Sequence, residues 1–301
     1  MKAKNRKRKI FKKLCILVVS FVLLFYFLQR FWAHREKEFY PDYPKEHLTE
    51  ESDYDTFFLQ TGLGESAIDK LLSKNDFQSI LNAQEKFFYP GEVSCEPLLG
   101  WFTREDRLSI AEDEESDAEK DKKDLLPQLV DLQPGDIILT LSTHSAGWRH
   151  GHAALVLDES TTLESMVWGT NSDYGQIENW RSYSNFAVLR VKNITPELQQ
   201  QVKEYACNSL YDVPYHLSAG FIGTKAPEPE DPQFGVQCAY LVWYAWNHFG
   251  YDLDSDGGCL VTANDILHSG LLEIVQIYGM NPKNYGECNR PIKNKYISES
   301  E

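Results

Sequence analysis

The chain has 301 residues, 42% hydrophobic and 25% charged, which is enough to bury one large core or two small ones. Its 45 Asp/Glu outnumber its 30 Lys/Arg for a net charge of −15, and eight of the cations are crowded into residues 2–13, so the remainder is more acidic still. Such a surface repels a phosphate backbone, which excludes nucleic acid as a partner.

The first 32 residues stand apart. A basic start, "MKAKNRKRKIFKK", precedes the apolar run "LCILVVSFVLLFYFL". Gln29, Arg30, Phe31 and Trp32 follow where a cleavage site would need small residues. Ile10 to Trp32 is long enough for a bilayer, so the expectation is an uncleaved N-terminal transmembrane helix, a signal-anchor over 1–32. Its basic flank would be cytoplasmic, and the rest an extracellular domain on a single-pass membrane protein. A long cleaved signal peptide is the alternative. Residues 33–55, rich in Pro, Asp and Glu, read as a stalk. Residues 56–125 form a helical lead-in with helix-spaced apolar side chains (Ile68, Leu71, Leu72; Ile80, Leu81, Phe87) and a charged loop at 111–124.

The main domain, 126–301, opens with "LQPGDIILTL", a Pro134-Gly135 turn into a strand. "HAALVL", "TLESMVW" and "FAVLRV" are further strand candidates. "TPELQQQVKEYACNSL" predicts a helix with Thr195 as cap and Pro196 at its first position. "QCAYLVWYAWNHFG" is a second helix, apolar nearly all round, and "VTANDILHSGLLEIVQIYG" a capping box (Thr262, Asp265), a short helix and a last strand. Strands followed by helix, helix and strand predict an α+β domain with a mostly antiparallel sheet and packed helices.

Beyond Cys15 there are five cysteines, Cys95, Cys207, Cys238, Cys259 and Cys288, so parity leaves at least one thiol unpaired. Cys238 follows a Pro/Gly-rich approach and opens a helix, where free N–H groups and the macrodipole stabilise a thiolate. A base would complete its activation. His150 and His152 share strand parity. As a metal half-site the pair lacks a further ligand at a recognisable spacing. With Asp158–Ser160 as the loop, Ala154 faces Glu164, and Glu164 lies diagonally beside His152 on one face, able to orient the imidazole. A two-residue turn would put Glu164 on the other face.

The ordered set "LQPGDIILTL", "GHAALVL…LE", "VPYHL" and "QCAYLVWYAW" resembles the permuted papain-like amidases of the YaeF/YiiX type, relatives of the NlpC-type cell-wall cysteine peptidases. It covers roughly residues 126–270, with the Cys module after the His strand, the permuted order. The resemblance implies a permuted papain-like (NlpC-like) fold with Cys238 as nucleophile, His152 as general base and Glu164 as the orienting third residue. It also implies that Tyr215 lines the site or assists the oxyanion, that the Cys238 backbone N–H donates to it, and that no cofactor is needed. The expected activity is that of a membrane-anchored cysteine hydrolase, a papain-like thiol protease or amidase. It would cleave an amide of a cell-wall peptidoglycan peptide or an N-acyl amide substrate through an acyl-enzyme. Acyl transfer or thioester hydrolysis on lipid acyl groups is the rival. Ala239 stands where the family usually has Ser, and Ala263 where Pro is common.

Two bland readings stand beside this. Cys238 could be tied to Cys207 or Cys259 in a non-catalytic structural ectodomain. "DLDSDGG" (Asp252, Asp254, Asp256) copies the first half of a calcium loop, but its twelfth position is Ala263 rather than a bidentate Glu.

Overall fold

In the computed structural model the described residues are 2–33, 39–98, 103–109, 126–145, 148–221, 223–231 and 233–285. The charged loop at 111–124 and Cys288 lie outside them. Helix α1 spans Lys2–Ala33. The expected transmembrane helix is corrected here: among the described residues no helix is long and apolar enough to cross a membrane. Eight of the first twelve residues of α1 are Lys or Arg, a stretch that belongs in water or among headgroups rather than in hydrocarbon.

The rest is α+β, with antiparallel sheets. Helices α2 (Tyr54–Thr61), α3 (Glu65–Ser73) and α4 (Phe77–Phe88) come first. Strands β1 (Glu92–Pro97) and β2 (Thr103–Ser109) form a hairpin that the sequence reading missed, because its residues are mostly polar without alternation. Next come β3 (Ile137–Thr140), β4 (Thr143–Ser145), β5 (Trp148–Arg149), β6 (His152–Val156), β7 (Thr161–Glu164), β8 (Asp173–Gln176) and β9 (Phe186–Val191). Helices α5 (Pro196–Ser209), α6 (Cys238–Asn247) and α7 (Ala263–Leu267) follow, and then β10 (Leu272–Tyr278). The main sheet runs β10-β9-β3-β6-β7-β8, and the smaller one β1-β2-β4-β5.

Both faces of the main sheet are covered, and its strands show how. Ile137, Leu139, Ala153, Leu155, Ala187 and Leu189 pack with the α5–α7 side. Their neighbours Ile138, Ala154, Val156, Phe186 and Val188 pack with Phe57, Ile68 and Ile80 of the lead-in. With period-2 side chains buried on each face, the strands read as unbroken apolar runs. The lead-in therefore braces the sheet from behind. Residues 39–53 lie against it: Tyr43 Oη donates to the Leu59 carbonyl at 2.5 Å, and Leu48 is buried.

Asp136 of the "PGD" turn anchors this sheet. It is fully buried, and Arg190 from β9 grips it through Nε at 2.8 Å and Nη2 at 2.7 Å, while Nη1 reaches Asp131 at 2.8 Å. Gly135, at φ +83°, lets the turn close under Trp246, whose indole N–H donates to the Gly135 carbonyl at 3.1 Å. Replacing Arg190 with Ala leaves a buried carboxylate without its partner. The expected loss is about 3–5 kcal/mol of unfolding free energy, read by urea titration at neutral pH.

Candidate functional site

The site forms where two strands part. β6 and β7 pair at Leu155↔Leu163 and Val156↔Thr162, the register of a three-residue loop over Asp158–Ser160. Beyond Leu155 the ladder stops, and Ser165 Oγ turns instead to the Val236 carbonyl at 3.1 Å. The N-terminus of α6 faces this opening. Continuing the register sets Glu164 opposite Ala154 and diagonal to His152, and their side chains meet: His152 Nε2 lies 2.8 Å from Glu164 Oε2. All three side chains are largely buried, Cys238 and Glu164 at 9% exposure and His152 at 4%.

The His152 ring and the backbone N–H groups of Ala153 and Ala239 all act electrostatically on the Cys238 sulfur. With Nε2 held by Glu164, Nδ1 is the ring nitrogen left to face the sulfur. Burial disfavours both charges, but each of these buried groups charges the other. Burial works to raise the Cys238 thiol, and the His152 imidazolium with the two N–H donors overcomes it, holding the thiol below its ordinary value. Burial works to lower His152, and Cys238 and Glu164 overcome it, lifting the imidazole to about 10. Glu164 itself is held down by His152, Thr162 and Trp180 against its burial. These shifts all favour a thiolate–imidazolium pair with a carboxylate behind it.

Local sequence accounts for this placement. Gln237 caps α6: its Oε1 accepts from the Ala239 N–H at 3.0 Å and its Nε2 donates to the Val261 carbonyl at 2.6 Å. Cys238 Sγ lies 3.3 Å from the same Oε1, a bond the neutral thiol can donate. Gly151, at φ +75°, sits beneath Ala263 of α7, so the chain turns sharply into His152. Tyr215 is half-buried and held by its backbone to Thr170 and Val236. Burial and the Cys238 charge both raise its hydroxyl.

His150 has other company. Its Nδ1 donates to the Gly151 carbonyl at 2.6 Å, its Nε2 meets Ser145 Oγ at 2.8 Å, and burial pushes it down to about 4. It stays neutral, away from the thiol.

Sequence reasoning missed two supports of Glu164. Thr162 Oγ1 donates to Oε1 at 2.5 Å, and Trp180 Nε1 donates to the same oxygen at 3.2 Å. Trp180 also stacks on the His152 ring, with centroids 5.2 Å apart and planes 9° from parallel. Trp180 sits in a 3₁₀ turn, Ile177–Ser182, with no sequence pattern aiming it at His152. Thr162, two residues before Glu164 on one strand, was accessible to parity reasoning.

Every cysteine among the described residues is a free thiol: Cys15, Cys95, Cys207, Cys238 and Cys259. Cys95 is the instructive contrast. Burial first, then its bond to Asp106 Oδ1 at 2.7 Å, pushes its thiol up to about 11, although Arg104 Nη2 donates to the sulfur at 2.6 Å.

The acidic loop is locally satisfied. Asp252 Oδ1 accepts from Trp243 Nε1 at 2.7 Å, and Asp252, Asp254 and Asp256 each accept a backbone N–H two residues on. Lys225 pairs with buried Asp254. Asp254, Asp256 and Asp265 offer ligand atoms within 4.8 Å of one another, but Asp265 also holds the Thr262 cap, and Asp252 is outside the group.

No family model, curated protein or solved structure matches the chain. Its chemistry rests on the geometry above.

Proposed function

We propose that this protein is a papain-like cysteine hydrolase that cleaves an amide bond, of a peptide or an N-acyl amide, through an acyl-enzyme on Cys238. The observation that carries the reading is the buried grouping of Cys238, at the start of α6, with His152 and Glu164, whose side chains meet at 2.8 Å. The Cys238 thiolate attacks the carbonyl carbon, and a thioester forms as the C–N bond breaks. The His152 imidazolium gives its proton to the leaving amine, then takes one from the water that hydrolyses the thioester. Glu164 keeps the ring oriented and its charged form favoured. The Cys238 N–H lies at the helix N-terminus where an oxyanion would develop, the neighbouring Ala239 N–H being taken by Gln237.

Transfer of a lipid acyl group, or hydrolysis of its thioester, is the second reading, and one observation favours it. Segments 165–172, 213–217 and 234–237 are stitched side by side next to Cys238 by backbone bonds such as Tyr215 N–H to Thr170 and His216 N–H to Val236. They carry Met166, Leu217 and an 86%-exposed Trp168. An apolar acyl chain suits that rim.

The test is turnover of a panel of stem-type peptides, N-acyl amides and acyl thioesters, with the covalent intermediate sought by intact-protein mass spectrometry. The expected result is amide turnover, with an acyl adduct on Cys238 and a loss of about 10²–10⁴-fold in His152→Ala. Equal rates in wild type and Cys238→Ala overturn the reading. Turnover of thioesters without amides selects the second.

A further inference from the structure

The carboxylate of Glu164 lies directly under the main chain of β8. A Cβ built on Gly175 would sit 1.9 Å from Glu164 Oε1, 2.7 Å from its Cδ and 2.6 Å from Thr162 Oγ1. Gly175 pairs with Thr162 and Asp173 with Glu164 across β7 and β8, so this closeness follows from the register. Gly175 is not among the glycines with positive φ, so its backbone does not require glycine there. What requires it is the carboxylate packed against its Cα.

We infer that Gly175 is a positioning residue: the bare backbone of the edge strand is the floor that sets the Glu164 carboxylate against His152. This rests on the triad reading above and extends it to a residue that touches neither thiol nor imidazole. Oε1 is trapped between Thr162, Trp180 and the Gly175 Cα, which leaves Oε2 aimed at His152 Nε2. The atom that a methyl group would strike first is the end of a flexible side chain. The fold can therefore yield by moving Glu164, whereas the site cannot. A methyl group at 175 expels the carboxylate, His152 loses its anionic partner, and the imidazolium that holds the Cys238 thiolate is weakened.

The test is the pH dependence of iodoacetamide alkylation at Cys238 in four proteins: wild type, Gly175→Ala, Glu164→Ala and the double variant. The expected result is that Gly175→Ala moves the reactive limb to higher pH, losing at least about tenfold in rate at pH 6, and that adding it to Glu164→Ala changes nothing more. A wild-type profile in Gly175→Ala overturns the inference, as does an equal shift in both backgrounds. If Gly175→Ala does not fold, the double variant decides. Folding restored by Glu164→Ala supports the clash with the carboxylate, and no restoration overturns it. A wild-type protein without a low-pH limb at Cys238 sinks the triad reading itself, a different outcome from any of these.

Discussion

Cys238 is expected to alkylate faster than any other described thiol at pH 6, although Cys95 and Cys259 are more exposed. Accessibility alone predicts the opposite order. The thiolate is the reacting species, and Cys238 has an imidazolium and two N–H donors to stabilise it, whereas burial and Asp106 push Cys95 to about 11. In His152→Ala the burial of Cys238 is opposed by the N–H donors alone, so its thiol moves up and thiolate at pH 6 is lost. The more basic thiolate regains part of that loss through higher nucleophilicity, so a net fall of at least about tenfold is expected by peptide mass spectrometry. Unchanged low-pH labelling in His152→Ala means that the pair does not exist.

The same pair sets a stability profile. His152 rises from 6.5 to about 10, so its share is complete below pH 6.5 and lost as pH climbs through 10. Cys238 falls from 9.0, so its share is complete above pH 9 and lost as pH drops through its folded value. Above both 6.5 and the folded Cys238 value, and below 9, the folded pair (imidazolium, thiolate) and the unfolded pair (imidazole, thiol) hold the same number of protons. Their contribution is flat there and declines on both sides. Urea titrations of wild type against Cys238→Ala/His152→Ala across pH 4–10 should show that plateau in the difference. A difference that slopes steadily through pH 7–8 contradicts it.

Trp180→Ala is expected to cost about 3–5 kcal/mol of stability and to raise the pH at which Cys238 becomes reactive. The indole is almost fully buried, so its removal opens a large cavity in the core on the lead-in side of the main sheet. It also removes the ring stacked on His152 and a hydrogen bond to Glu164. A stacked aromatic face favours the charged imidazolium over the neutral ring. Trp180→Phe separates the two roles: it keeps an aromatic surface against His152 but leaves Glu164 Oε1 to Thr162. It should keep most of the stability with a smaller change in the alkylation profile. If Trp180→Ala lowers stability while the profile of Cys238 stays put, the indole is packing only.

Much of this was legible because it is local. The Thr195 and Thr262 caps, the helix opening at Cys238 and the strand after Pro134-Gly135 depend on residues within a few positions of one another. The β1–β2 hairpin was not legible, since its stability comes from β4 and from Arg107 stacked over Tyr183 rather than from any alternation of its own. The apolar run near the N-terminus predicted a membrane span, whereas among the described residues no helix is long and apolar enough to cross a membrane.

What the sequence by itself determined is the α+β class, the helix, helix, short helix and strand that follow β9, and a cysteine at the start of a helix, because caps, turns and periodicity act over one or two turns of chain. Only the tertiary structure decided which histidine meets the thiol. The register of β6 and β7 had two allowed answers, and packing Leu155 against Leu163 selected one. That choice put Glu164 on the same face as His152, left His150 to Ser145, and brought Trp180 and Gly175 in from β8 and the turn that follows it. A one-residue slip would have reversed every one of those faces, since side chains alternate along a strand.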